Sequence, residues 1–489
     1  MTRPATTRNN VRKIMDTTTL NAVRRVRLKA LHDKPREKRE GDDARILSVP
    51  VVVALVCFFA GLLGGPAFVF VALVGLGGYG LTSVAAGLRA LTLVAAVRVL
   101  NPTLVSFPEG TAVLTWGVVL LVSVRILVTF SGRDLRIVGP LWLYALVVAL
   151  LSVAGSAHPD ISLMKLLSFS LSASAALVGF QRLDEVAQAR MLAWLCSLWL
   201  VVVALSLPTL LAPGVAFATN DRGFQGILNQ PQALGIFLVP AAVWFSTQAF
   251  GSGRRIAAAP AVATVAVWAM MLGTLARTAF AASALSLAFG ALLGRLQSRA
   301  DLSLARRRLF TALAAAACLV VLLAATSTTV ADKIQGFVFK GGVEAYDDVG
   351  DAFHASRGKG IEYQWQNFLQ NPIMGTGFQV YPSDEFYEKV KRIWGIPVSA
   401  AVEKGFIFVA VFEETGVIGG LFFFGLLYGL YRAVKATGDL RRLSLFFACI
   451  FVNVGEGVFF AAGGLGLYFW ILIGFAAAGA SGRERQRGP

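Results

Sequence analysis

The side chains of this chain that could do chemistry are mostly cationic and sit in polar breaks between apolar runs. Arg222 lies in TNDRGFQGILNQPQALG, just ahead of a predicted helix start at Pro231 and Gln232. A helix N-terminus carries free amides and the positive end of a dipole, and a nearby guanidinium adds a fork of donors, so this segment suits an anion. The competing reading is a solvated loop arginine. Arg277, in MLGTLARTAFAASALSL, occupies a very short connection between two apolar helices and calls for an anionic partner; a structural ion pair with a loop carboxylate is the alternative.

A second group follows in HASRGKGIEYQWQNFLQNPIMGTGFQVY. Its spacing predicts a helix over 361–369, ended by Asn371-Pro372 and a glycine turn at Gly375 and Gly377. Ile361, Trp365 and Phe368 form the expected buried stripe, Arg357 and Lys359 stand just before the helix, and Arg357, His354 and Glu362 can face a ligand. A lone histidine there is more often a surface group than a base.

Carboxylates come next. Glu403, Lys404, Glu413 and Glu414 bracket an apolar stretch, and Glu413 and Glu414 inside it require cations, for which Arg222, Arg277 and Arg357 are the expected candidates. Asn453 and Glu456 have the i, i+3 spacing of one helix face, readable as helix packing or as an ion path. Arg125 and Lys165, near the ends of apolar runs, are expected to snorkel.

No phosphate-binding glycine loop, His/Cys ligand cluster or nucleophile elbow occurs, and the only histidines are His32, His158 and His354. Asp347, Asp348 and Asp351 could hold a metal but read as a solvated loop, so no metal site and no cofactor are expected. The four cysteines, Cys57, Cys196, Cys318 and Cys449, each fall in an apolar run and behave as small hydrophobes.

The elements that must position these groups are membrane helices. The chain has 489 residues, 56% of them hydrophobic and 15% charged. Apolar runs near bilayer length recur at 46–64, 67–86, 88–105, 110–130, 137–155, 162–180, 192–211, 232–250, 256–274, 278–294, 309–329, 405–431, 443–460 and 465–480. This is an all-α polytopic membrane protein of 12 to 14 transmembrane helices; 88–105, with Arg89, Arg98, Asn101 and Pro102, is the least regular window and could instead be interfacial or re-entrant.

Arginine-rich loops at 132–136, 181–190, 251–255, 295–308 and 432–442 share one side, and the positive-inside rule makes that side, with both termini, cytoplasmic. The organisation is a basic cytoplasmic tail 1–45, a helix bundle 46–329, one large outer loop domain 330–402, C-terminal helices 403–482 and a short tail 483–489. The tail 1–45 holds 13 Lys+Arg against 6 Asp+Glu, so much of the net charge of +17 is topology signal and attraction to membrane lipids, with no nucleic acid implied. No signal peptide is expected, and the first span is expected to be retained.

The strings DRGFQGILNQPQALG, LARTAFAASALSL, SRGKGIEYQWQNFLQNPIMGTGF and EETGVIGG, in this order over 221–420, resemble the O-antigen ligase and Wzy-type polysaccharide polymerase superfamily of bacterial inner membranes. The resemblance implies a GT-C-like fold and an inverting, metal-independent glycosyltransferase working at the periplasmic face of the inner membrane. Its substrate would be an undecaprenyl-pyrophosphate-linked oligosaccharide, with a flippase and a chain-length regulator as further partners. Carried over, Arg222 and Arg277 hold the donor pyrophosphate, and Arg357, Lys359, His354, Lys404, Glu414 and Gln232 complete the substrate site. Ligases of the superfamily carry a histidine eleven residues ahead of a Gly-x-x-Gly, where this chain has Gly405 followed by Phe406. That departure favours a repeat-unit polymerase over an O-antigen ligase and makes Glu403 the general-base candidate, against the alternative of a structural ion pair with Lys404 or an arginine. A transporter or flippase using Glu456 and Asn453 is the reading from another class.

Overall fold

The computed structural model describes residues 65–219, 222–251, 257–293, 358–381, 392–393, 396–397 and 404–478. Its helices are α1 (Gly65–Thr82), α2 (Val84–Val97), α3 (Thr111–Leu127), α4 (Leu135–Gly155), α5 (Pro159–Arg182), α6 (Glu185–Ser206), α7 (Pro231–Gly251), α8 (Ala258–Gly273) and α9 (Arg277–Leu293), followed by α10 (Lys359–Gln370), α11 (Ile407–Ala436), α12 (Leu440–Phe451) and α13 (Gly464–Ala477). A one-turn helix at Pro213–Ala216, 3-10 turns at Gly132–Asp134, Leu207–Leu211 and Val452–Val454, and a two-residue antiparallel strand pair, Arg392–Ile393 with Ile396–Pro397, complete the described elements.

Five segments are long and apolar enough to cross a membrane: Gly132–Gly155, Pro159–Arg182, Glu185–Leu211, Pro231–Phe250 and Ile407–Ala436. Six shorter apolar helices stand among them. The windows 46–64 and 309–329, the tail 1–45 and most of the loop domain 330–402 lie outside the described residues. The other twelve windows each overlap a described helix, with two corrections of substance. Window 88–105 is helical only as far as Val97, because α2 starts at Val84, capped by the Ser83 hydroxyl, and the chain then turns at Asn101-Pro102. Residues beyond it pair sideways, with the Asn101 amide donating to the Ile227 carbonyl at 2.8 Å and the Asn229 amide to Val99 at 2.8 Å. Window 443–460 stops being α-helical after Phe451.

Burial follows the absence of a polar face. Every residue of α13 from Gly466 to Ala477 is buried, as expected for a helix that is apolar all round and sits inside a bundle. It packs on α2, α5 and α12, while α5 also lies against α3 and α4. The few polar groups in this interior are used locally: Trp199 Nε1 donates to the Tyr468 hydroxyl at 2.5 Å, which donates to the Phe237 carbonyl at 3.1 Å.

The bundle has two chemically different ends. At one, the Arg182 guanidinium pairs with Asp134, the Arg442 guanidinium donates to the Phe475 carbonyl at 2.7 Å and to Gln188 Oε1 at 3.3 Å, and Arg133, Arg136, Arg190 and Arg441 lie nearby in sequence. The other end carries 156–158, where Ser156 packs on Gly377, together with 222–230, 274–276, 371–381, 404–406 and 452–463, which touch one another through the contacts given below. The described arginine-rich loops that the sequence assigns to a common side are therefore together in space.

The loop 371–381 is pinned into this second end by Phe378. Its ring is fully buried, 5.1 Å from Phe460 and 6.0 Å from Phe169, with Phe423 and Phe459 packed behind Phe460. Phe378→Ala is expected to cost about 3 to 5 kcal/mol. Thermal unfolding in detergent checks it, and an unchanged midpoint would contradict the anchoring role.

Candidate functional site

The site begins with a broken helix. Within α11, Gly416 has φ 62° and ψ −170°, a combination open to glycine and closed to side chains with a Cβ. The break leaves the carbonyls of Glu413 and Glu414 without helical donors, and the 371–377 loop supplies them. The Thr376 amide donates to Glu413 O at 2.9 Å and the Gly377 amide to Glu414 O at 2.9 Å. In return the Val417 amide donates to the Pro372 carbonyl at 2.8 Å. The approach is so close that a Cβ on Gly416 would collide with the Ile373 carbonyl oxygen. Gly375 (φ 74°) and Gly377 (φ 111°) provide the left-handed turns that the loop needs to present those amides.

This clasp sets the Glu413 and Glu414 side chains beside a buried ammonium. Lys404 Nζ lies 2.9 Å from Glu413 Oε2 and 3.3 Å from Glu414 Oε1, and all three side chains are buried. Asn367 of α10 donates Nδ2 to Glu413 Oε1 at 2.8 Å, and the Gln379 backbone hydrogen-bonds Glu414. Lys165 of α5 reaches the same corner, its ammonium donating to the Gln379 carbonyl at 2.6 Å. The Tyr381 ring lies 5.8 Å from Lys404 Nζ and 6.4 Å from the Tyr363 ring. Burial works against a charged Lys404, but the carboxylates of Glu414 and Glu413 outweigh it and hold its pKa above the ordinary 10.5. Lys404 therefore stays protonated throughout the neutral range.

The arginines stand on the adjoining loops. Arg277 is the first residue of α9 and half-buried, after a turn in which Leu275 has φ 55°. Arg222 is exposed. Its neighbours press onto the same turn: the Phe224 amide donates to the Gly273 carbonyl at 2.9 Å, and Gly223 lies against the Thr274 carbonyl and Pro231. Gly235, in the first turns of α7, packs on Ala276. The N-terminal ends of α7 and α9 thus meet, with Arg222, half-buried Gln232 and Arg277 at the junction.

A short strap ties this junction to the charge cluster. Thr278 Oγ1 donates to Glu456 Oε1 at 3.4 Å, Gly455 packs directly on Thr278, and Gly457 packs on the Lys404 carbonyl. One end of the bundle therefore brings Arg222, Gln232, Arg277, Lys404 and Glu414 onto contiguous segments. Glu403, Arg357 and His354 lie outside the described residues. Lys359 opens α10, exposed and eight residues before Asn367, a rise of about 12 Å along the helix.

Several expectations are corrected. Glu413 and Glu414 find their cation in Lys404, not in Arg222 or Arg277, because the chain folds back at 404–406 just before α11. Asn453 and Glu456 do not share a helix face: Asn453 Nδ2 folds back to the Cys449 carbonyl at 2.8 Å, while Glu456 lies in the irregular strap beyond a 3-10 turn. The predicted helix is longer than 361–369, and Trp365 is 45% exposed instead of buried. Lys165 does not snorkel; it reaches inward. Asn367, Gln379 and Tyr381 were missed as well, and the available signal was the pairing of a Glu-Glu-Thr-Gly break with a glycine-rich turn whose amides could serve it.

The chain matches no protein-family model and no curated protein.

Lys404→Met leaves two carboxylates buried without their cation and is expected to destabilise the protein by about 3 to 5 kcal/mol. The triple variant Lys404→Met, Glu413→Gln, Glu414→Gln should recover much of that loss in detergent unfolding; no recovery would separate Lys404 from the pair. Since the folded pKa of Lys404 is raised, its stabilisation is complete below pH 10.5 and declines only as pH climbs through the raised value. A wild-type midpoint that falls on the alkaline side, and falls less in the triple variant, checks the sign.

Proposed function

We propose that this chain is a glycosyltransferase of the inner membrane that polymerises undecaprenyl-pyrophosphate-linked repeat units into an exopolysaccharide or O-antigen-like glycan at the periplasmic face. The observation that supports it most is the junction of α7 and α9, where two helix N-termini meet between Arg222 and Arg277. A diphosphate leaving group carries charge that grows as its bond to the anomeric carbon breaks. Fixed guanidinium groups and helix-end amides, arranged before the reaction, stabilise that charge without reorganisation.

In this reading the acceptor sugar's hydroxyl oxygen forms a bond to the anomeric carbon of the donor, with inversion. The carbon–oxygen bond to the pyrophosphate breaks, and its electron pair leaves on the lipid diphosphate held by Arg222 and Arg277. The hydroxyl proton passes to the Glu403 carboxylate, the residue next to Lys404. Lys404, tied to Glu413 and Glu414, keeps this corner of the site electrostatically balanced and acts by position. Gln232 at the start of α7 donates to the diphosphate, while Arg357, Lys359 and His354 meet the glycan. The concentration of basic residues at the opposite end accords with a cytoplasmic orientation for that end and a periplasmic one for the junction.

Reconstituted protein given a matched lipid-linked oligosaccharide should yield a ladder of longer glycans, with chelator present. Arg277→Ala and Arg222→Ala should each lower kcat/KM by about a hundredfold or more, with Glu456→Gln retaining activity. Lack of product from several matched substrates would overturn the proposal. Glycan appearing only on an added lipid or protein acceptor would identify a ligase, and a dependence on Glu456 with tolerance at Arg277 would identify a transporter.

A further inference from the structure

We infer that α10 is an interfacial helix whose Trp365 flank lies on the lipid surface, at the boundary between headgroups and acyl chains. The inference needs only a membrane around the apolar helices and does not rest on the transferase proposal.

The starting observation is the misplaced tryptophan. Trp365 is 45% exposed, and Leu369, Ile373 and Met374 on or just past the same flank are 54%, 61% and 44% exposed. In water, a contiguous apolar strip of this kind is a liability. It is not isolated, however. From Trp365 a run of ring contacts leads to Phe368 at 5.0 Å, then to Phe412 at 5.8 Å, then to Phe424 at 6.2 Å. Phe424 is itself 43% exposed and belongs to the outward face of α11 with Val417, Ile418 and Leu421.

That face faces lipid on simple dimensional grounds. After the break at Gly416, α11 runs for fifteen residues, 417–431, before the basic loop opens at Arg432, and at 1.5 Å each these span about 22 Å of the roughly 30 Å hydrocarbon core, which leaves Gly416 within two turns of the opposite boundary. Gly416 then falls near the membrane boundary, and Ile373, whose carbonyl touches it, falls there too. The apolar flank of α10 is a continuation of the lipid-facing surface of α11 past that boundary.

The remaining faces of α10 agree. Lys359, Glu362, Gln366 and Gln370 are exposed and polar, with the half-exposed Tyr363 among them stacked on Tyr381, whereas Asn367 and Phe368 contact α11 and Gln364 is buried. A helix with one face on protein, one flank apolar and its outer face polar is built to lie at an interface, and tryptophan is the side chain most at home at headgroup depth. The consequence is positional. Asn367, two residues past Trp365, bonds Glu413, so lipid contact at Trp365 fixes the depth of the Lys404–Glu413–Glu414 cluster at the membrane surface.

The test uses full-length protein in phosphatidylglycerol/phosphatidylethanolamine vesicles. Single spin labels at 362, 365, 366, 369 and 373, in a background with Cys57, Cys196, Cys318 and Cys449 replaced by alanine, are read for collision with oxygen and with a water-soluble nickel chelate. Labels at 365, 369 and 373 should favour oxygen, and those at 362 and 366 the nickel chelate. Equal nickel accessibility at 365 and 366, or protection of 365 from both reagents, would overturn the inference. In case the cysteine-free protein does not fold, quenching by brominated lipids is compared between wild type and Trp365→Phe. A clear loss of the quenchable fluorescence in the variant supports the placement, and identical quenching refutes it.

Discussion

The clasp between α11 and the 371–377 loop is the constraint from which the site follows. A continuous helix through Gly416 would satisfy its own backbone and leave the loop nothing to bind. With the break, the buried carbonyls of Glu413 and Glu414 must be served from outside the helix, since each such group left unpaired costs on the order of 1 to 3 kcal/mol. The loop amides of Thr376 and Gly377 meet that need, and Phe378, the next residue, is carried into the aromatic core as a result. Backbone satisfaction and ring packing thus act on the same few residues and hold the polar loop in one register.

Electrostatics is layered on that frame. Two adjacent carboxylates at the membrane end of a helix are tolerable only with a cation between them, and Lys404 occupies that position with Asn367 and Gln379 bonding the outer edges. The pairing joins α10, the 371–381 loop and the start of α11 into one unit. The strap through Glu456 and Gly457 extends it to the first turn of α9, so a change at the cluster and a change near Arg277 act on one connected surface.

The helical class, the positions of most described helices and the sharing of one end by the described basic loops were legible from the chain because they depend on local quantities: runs of apolar residues, capping and turn residues, and arginine placement. Pro231 and Asn371-Pro372 marked boundaries that the structure keeps. The partner of Glu413 and Glu414 was not legible, since choosing Lys404 over Arg222 and Arg277 requires knowing how the chain folds back at 404–406. Lys165 was misread for the same reason: its reach to Gln379 spans more than two hundred positions. Trp365 was misread because helical periodicity ranks a residue as apolar without saying whether protein or lipid will cover it.

By itself, then, the sequence determined that the chain is a bundle of apolar helices with cationic loops on one side and a few charged residues that had to be neutralised on the other. Hydrophobicity, helix punctuation and charge bias are properties of short windows, and they survive without knowledge of the fold. Only the tertiary structure decided that Gly416 interrupts a helix, that amides from a distant loop repair the interruption, and that Arg222 and Arg277 adjoin one helix-end junction. Those are matters of which backbone groups are left unpaired in the interior and which segments come within about 3 Å to pair them, a geometry no window of sequence contains.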